Sequence, residues 1–109
     1  MLIFPLKKEW YEKIKSGEKT IEYREVKPYW TKRFNSKSGL DDIFISLLKS
    51  KGGENCNIPC KLRLGYTNKY LVADITRIEI IDGKDTDLHI DRPVYAIHLR
   101  DIREIKYGA

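Results

Sequence analysis

Apolar and polar residues alternate through most of the second half of the chain, and this period of two is the strongest constraint on its fold. Successive side chains of a β-strand point to opposite faces, so each alternating segment predicts a half-buried strand. The apolar set changes phase near Thr76 and Arg77, which predicts a β-bulge. The alternating segments are 60–66, 70–81 and 95–100, and turn-forming residues occupy 67–69 and 82–85.

The N-terminal segment has a helical period instead. Leu6, Trp10 and Ile14 recur every four residues among charged residues, which predicts an amphipathic helix with Trp10 on its core face. Pro5 suits the first turn of this helix, and Gly17 suits the left-handed residue just beyond its end. We therefore expect a helix between Pro5 and Gly17.

A further strand is expected at residues 19–26, where β-branched and aromatic residues alternate with polar ones. Ile21 and Tyr23 are expected to enter the core, while Thr20, Glu22 and Arg24 share the opposite face. Pro28 ends this strand. Beyond it, we expect a short helical turn or an ordered loop at 29–34, a loop at 35–39, a buried strand at 43–48 and an exposed loop at 49–59.

The order of these elements indicates the fold class. One N-terminal helix followed by about five strands, without regular alternation of strand and helix, predicts an α+β fold built on a small β-barrel with the helix packed at its side. A doubly wound parallel sheet is excluded because the crossover helices are missing. The chain has 109 residues, 41% of them apolar, and it has no linker or repeat, so we expect a single domain spanning 1–109.

Composition restricts the functional classes. Lysine and arginine number 21 against 16 acidic residues, a formal net charge of +5, which favours polyanions as ligands but also serves solubility. The apolar stretch at the N-terminus is too short for a signal peptide, and none approaches the ~20 residues of a membrane span. The two cysteines, Cys56 and Cys60, do not make a secreted disulfide framework. We expect a soluble cytoplasmic protein without a membrane partner.

The segment Ile3–Leu6, the predicted helix and the segment Ser16–Arg24 together resemble the N-terminal motif of ASCH domains. In that motif a helix ends at Gly, and a strand that contains Lys-Thr closes with an Arg. The last strand, 94–99, also resembles the final barrel strand of the family. The resemblance implies a PUA-like barrel with a cleft between the first helix and the barrel, and RNA as the ligand. A phosphate-binding P-loop is excluded, because its Gly and Lys precede a helix.

The residues of the motif suit such a ligand. The Arg24 guanidinium matches a phosphate or a base edge, and the Glu22 carboxylate can accept from the amine of a base such as cytosine. Lys19 can neutralise a phosphate. We expect a site of Lys19, Glu22 and Arg24, in which Arg24→Ala weakens RNA binding and leaves thermal stability nearly unchanged. The flanking residues are expected to be Lys8, Trp30 and Lys32. The alternative is a surface Glu22–Arg24 ion pair of little energetic weight.

Some relatives within the resembled family are small hydrolases, acting on acetylated cytidine or as ribonucleases, and this is the alternative function. They use a lysine of the motif, a threonine two or three residues later and a glutamate from a later segment. Lys19 matches the lysine, but Glu22 stands in the place of the threonine, and Thr20 points to the opposite face. Neither Glu54 nor Glu79 lies in a recognisable motif. We therefore predict binding rather than catalysis.

Two other groups of residues allow more than one interpretation. Tyr29–Phe34 interleaves aromatic and cationic residues, which suits base stacking, but Trp30 and Phe34 are also spaced as a helical core face. Trp10 and Tyr11 allow the same two interpretations, and the core is favoured for Trp10. Cys56, Cys60, His89 and His98 could together ligate zinc, and the gap between the two cysteines is tolerable, but neither histidine has a paired spacing. Cys60 also heads an apolar strand, which suits a small core residue. No metal or cofactor is predicted, and the sequence gives no protein partner.

Overall fold

The computed structural model describes residues 2–34 and 58–105, which form five strands, two α-helices and a 3₁₀ turn. The predicted loop at 35–39, the predicted strand at 43–48 and most of the predicted loop at 49–59 lie outside the described residues. The elements are β1 (Leu2–Leu6), α1 (Lys8–Lys15), β2 (Ile21–Glu25), α2 (Pro28–Phe34), β3 (Ile58–Leu64), β4 (Tyr70–Asp82), the 3₁₀ turn (Gly83–Asp85) and β5 (Pro93–Ile105).

The five strands form one mixed sheet in the order β1-β3-β4-β5-β2. Only β1 and β3 pair in parallel, and the other neighbours are antiparallel. The sheet curls into a half-barrel, which brings its two edge strands, β1 and β2, close enough for a side chain of β2 to bond the β1 backbone. The prediction of an α+β fold with about five strands is therefore confirmed.

The core fills the concave side of the sheet. Strands contribute alternate apolar residues to it, and both helices add buried side chains: Tyr11 and Ile14 from α1, Trp30 and Phe34 from α2. Phe4 stacks on Trp30 with ring centroids 5.0 Å apart. In the described part of the chain, neither helix is long and apolar enough to cross a membrane.

The start of the chain differs from its prediction. Leu2–Leu6 is a strand rather than the first turn of a helix, and α1 begins only at Lys8. Leu2, Phe4 and Leu6 are buried because their strand adds to β3, so pairing with a distant strand overrides the local helical period. Gly17 adopts φ +85° directly after the helix, as predicted.

The predicted strands at 60–66, 70–81 and 95–100 correspond to β3, β4 and β5. The end of the first was wrong, because β3 stops at Leu64 and Tyr66, expected on its apolar face, is 93% exposed in the turn that follows. Pairing of β4 with β5 shifts register between Ile75 and Arg77, which is the β-bulge expected from the change of phase. The 3₁₀ turn replaces the predicted turn at 82–85. Ile58 and Pro59, expected in an exposed loop, instead begin β3 and pair with β4.

Candidate ligand-binding cleft

A cleft opens between the two edge strands, beside α1. One cavity of about 370 Å³ lies between β1 and β2, and a second of about 320 Å³ adjoins it on the side of α1. Residues from three separate parts of the chain meet here, because the curled sheet brings its edges together. The cavities share four lining residues, Trp10, Lys19, Tyr23 and Asp87.

Lys19 lies at the centre of the cleft, with a side chain that is only 9% exposed. Its backbone N–H donates to the Lys13 carbonyl at 3.0 Å, so the end of α1 fixes its position. Its ammonium group donates to the Asp87 carboxylate and lies 3.7 Å from Glu22 Oε1.

Two aromatic rings complete the surroundings of this ammonium group. The ring centroid of Tyr23 is 4.8 Å from Lys19 Nζ, and that of Trp10 is 5.2 Å away. Both distances lie within the range of cation–π attraction. The side chain is therefore held by rings and carboxylates rather than by solvent.

Glu22 faces the interior, contrary to the expectation that Ile21 and Tyr23 enter the core. Glu22 is 5% exposed, whereas Ile21 and Tyr23 are half-buried. Pairing with β5 sets Glu22 opposite Ile97, on the concave side of the sheet. The prediction that Glu22 and Arg24 share a face is confirmed, since Arg24 Nη2 donates to Glu22 Oε2 at 2.8 Å.

Burial of the Glu22 carboxylate is compensated by its partners. Besides Arg24, the backbone N–H of Tyr23 donates to Glu22 Oε1 at 3.0 Å. A buried carboxylate is tolerated only when it is paired and hydrogen-bonded in this way. The interpretation of Glu22 and Arg24 as an exposed surface pair is therefore wrong.

Arg24 joins the two edges of the sheet. Its Nη2 atom donates to the Pro5 carbonyl of β1 at 2.7 Å, and its guanidinium lies over the rings of Trp30 and Phe4 at 5.1 and 5.5 Å. Within the described residues, its buried Nε atom has no hydrogen-bond partner. Arg24 thus has a structural role, and one of its donors is unused.

Asp87 comes from the segment that links β4 to β5. Gly83 allows that segment to fold tightly, because a Cβ there would lie 2.7 Å from the carbonyl oxygens of Ile90 and Arg92. The Thr86 hydroxyl donates to the Gly83 carbonyl at 2.8 Å and is buried. These contacts place Asp87 at Lys19, 68 positions earlier in the chain.

The charges of the cleft are balanced. Lys7, Lys19 and Arg24 line the larger cavity together with Glu22, Glu25 and Asp87. Burial and the nearby carboxylates of Asp87 and Glu79 raise the pKa of Tyr23 above its ordinary value, so its hydroxyl stays protonated at neutral pH. Rings and paired charges, rather than an excess of positive charge, characterise this cleft.

The sequence-predicted residues divide into two groups. Lys19, Glu22 and Arg24 converge in the cleft. The exposed Lys8 and Lys32 are not among its lining residues, and Trp30 is buried in the core, where it reaches the site only through Arg24. The core-face interpretation of Trp30 and Phe34 is confirmed.

Three residues of the cleft were missed by sequence reasoning: Trp10, Tyr23 and Asp87. Trp10 was assigned to the core because of its helical spacing, but Tyr11 takes that place and Trp10 is half-exposed. Tyr23 was also assigned to the core. Asp87 carries no local signal, since it follows an ordinary turn.

The other candidate residues that the structure describes, Cys60, Glu79, His89 and His98, are not among the residues that line the cleft. Burial raises the pKa of the Cys60 thiol to about 12, so it is not a nucleophile at neutral pH, and Cys56 lies outside the described residues. Glu79 bonds His98 at 2.6 Å on the convex side of the sheet. Across residues 2–34 and 58–105, no three His, Cys, Asp or Glu side chains are grouped to hold a metal ion.

Comparison of the chain with protein-family models, with curated proteins and with solved structures finds no match. The geometry and chemistry of the cleft are therefore the basis on which a function is inferred.

Proposed function

We propose that this chain is an ASCH-like domain with a PUA-like half-barrel, and that it binds RNA or a nucleotide-like ligand in the cleft beside α1. A cytoplasmic location is part of this proposal. The observation that carries it is the convergence of Lys19, Glu22 and Arg24 beside the rings of Trp10 and Tyr23.

The groups of the cleft match the parts of a nucleotide. An aromatic ring offers a stacking surface for a base. The carboxylates of Glu22 and Asp87 accept from exocyclic amines, and the Lys19 ammonium group donates to a phosphate or a base carbonyl. The larger cavity, about 370 Å³, falls in the usual range for small-ligand sites.

The arrangement favours binding over hydrolysis. The position three residues after Lys19 carries the Glu22 carboxylate, which is bonded to Arg24 and supplies no hydroxyl nucleophile. Thr20 is exposed. The Lys19 ammonium group is in contact with the carboxylates of Asp87 and Glu22, and a cation in this position suits the recognition of an anion.

Replacing Lys19 with methionine tests the proposal. We expect affinity for a labelled single-stranded RNA to fall at least about tenfold, because a charge-assisted hydrogen bond contributes about 1.5 kcal/mol or more. Fluorescence anisotropy measures the affinity. Lys15→Met is the matched control, since Lys15 is an ion-paired lysine at 44% exposure outside the cleft. Equal affinity of the two variants would contradict the proposal.

Asp87→Asn should strengthen binding of ligands that carry phosphate. In the free protein the Lys19 ammonium group donates to the Asp87 carboxylate, so an incoming phosphate must displace that carboxylate. Asp87 is 37% exposed, and a half-exposed ion pair contributes about 1 kcal/mol or less. We expect up to about fivefold tighter binding of a nucleoside monophosphate and no gain for the nucleoside, measured by calorimetry. Asp91→Asn, on the same segment, is the control.

A further inference from the structure

The convex side of the sheet carries a second surface suited to nucleic acid. Strand register aligns two rows of side chains there, each crossing from β1 through β3 and β4 to β5. Buried residues such as Phe4, Leu62 and Leu71 occupy the positions between them, so both rows face outward. The first row is Ile3, Lys61, Val72 and Arg103, and the second is Pro5, Arg63, Tyr70 and Ile105.

These two rows contain three cations and no carboxylate. We call Lys61, Arg63, Tyr70 and Arg103 the basic face. Among residues 2–34 and 58–105, no carboxylate lies within 4 Å of the charged nitrogen atoms of Lys61, Arg63 or Arg103, in contrast to Lys19 and Arg24 in the cleft. In the described part of the chain, these three positive charges are therefore without a carboxylate partner.

An aromatic ring lies among these cations. The Lys61 ammonium group is 4.7 Å from the ring centroid of Tyr70, which is half-exposed. Proteins that bind single-stranded nucleic acid combine cations for the phosphates with aromatic rings for the bases. A surface that spreads this combination over four neighbouring strands suits an extended nucleic-acid strand better than a small anion.

The basic face is continuous with the cleft. Pro5 lines the larger cavity, its carbonyl accepts from Arg24, and it stands beside Arg63 in the second row. Neighbouring strands are about 4.8 Å apart, so Tyr70 on β4 lies only about 10 Å from the β1 edge of the cleft. A nucleic-acid strand that leaves the cleft over Pro5 would therefore contact Arg63 first and then Tyr70.

We propose that the basic face holds the phosphate backbone of single-stranded RNA whose terminal or neighbouring nucleotide occupies the cleft. This inference rests on the proposed function and makes its ligand a polymer, because a single nucleotide in the cleft does not reach Arg103. Lys61, Arg63 and Arg103 each contact phosphate, and Tyr70 supplies a stacking surface.

The test compares two triple variants that both lower the formal net charge from +5 to +2. One carries Lys61→Gln, Arg63→Gln and Arg103→Gln. The control carries Lys15→Gln, Arg33→Gln and Lys84→Gln, at cations that lie outside both the basic face and the cleft. Binding of a labelled mixed-sequence RNA 12-mer and of the four nucleoside monophosphates is measured at several salt concentrations.

The basic-face variant should bind the 12-mer at least about tenfold more weakly at ~0.1 M salt, and its slope of log affinity against log salt should fall by about 2, since each single-strand phosphate contributes ~0.7. Its affinity for the monophosphates should not change. Equal losses in both triple variants, or no loss in either, would overturn the inference. If the 12-mer depends on the basic face but not on Lys19, the basic face stands and the cleft proposal fails.

Discussion

Arg24→Ala should lower the free energy of unfolding by about 3 kcal/mol, because it removes one partner of a buried ion pair. The buried Glu22 carboxylate would lose its bond to Arg24 at 2.8 Å and keep only Lys19 at 3.7 Å as a charged partner. The contact between β2 and the Pro5 carbonyl would also be lost. Chemical denaturation monitored by circular dichroism measures the change. This replaces the sequence-based expectation of unchanged stability.

The chain offers a matched control in Arg33. Its guanidinium lies 3.5 Å from the ring centroid of Tyr29, so Arg33→Ala also removes an arginine stacked on an aromatic ring, but from an exposed position. We expect a cost under about 1 kcal/mol there. If both substitutions cost the same, Arg24 does not join the sheet edges as described, and its part in the site would be ligand contact alone.

The fold was predictable where local patterns and tertiary structure agree. Alternation over 70–81 predicted β4 and its bulge, because every second residue of a half-buried strand must be apolar to face the core. Gly17 gave the end of α1, because few other residues adopt its positive φ.

The candidate site was only partly predictable because it depends on contacts between distant residues. The motif identified Lys19, Glu22 and Arg24. The burial of Glu22 was not predictable, because alternation along the strand does not show that Arg24 and the Tyr23 backbone N–H bond its carboxylate. Asp87 reaches Lys19 only after β4 and β5 have paired and the segment between them has folded over β2. Trp10 was wrongly expected on the core face of α1 for a similar reason. Its neighbour Tyr11 is buried there instead and bonds Glu104 on β5, a contact that helical periodicity does not predict.

That partner makes Tyr11 the source of a large pH effect. Its hydroxyl donates to Glu104 Oε2 at 3.1 Å and the residue is 1% exposed, so burial, together with the Glu104 carboxylate, raises the pKa of Tyr11 to about 12. An ordinary tyrosine in the unfolded chain ionises near pH 10. The stabilisation by Tyr11 is therefore complete below pH 10 and is lost as the pH rises to 12, at a cost of roughly 2 to 3 kcal/mol.

Tyr11→Phe should reverse its effect across this range. At pH 8 we expect it to lower the free energy of unfolding by about 1 kcal/mol, the usual loss for one hydrogen bond. Above pH 12 it should be the more stable protein, because phenylalanine cannot ionise in the unfolded chain, and the two stability curves should cross between pH 10 and 12. Denaturant titrations at each pH give both curves.

Tyr66→Phe separates this effect from general alkaline unfolding. The Tyr66 ring is 93% exposed and lies in the turn between β3 and β4, so its removal should change neither the level nor the slope of stability with pH. Parallel curves for the wild type and Tyr11→Phe would contradict the prediction and would mean that Glu104 does not hold Tyr11 in its protonated form.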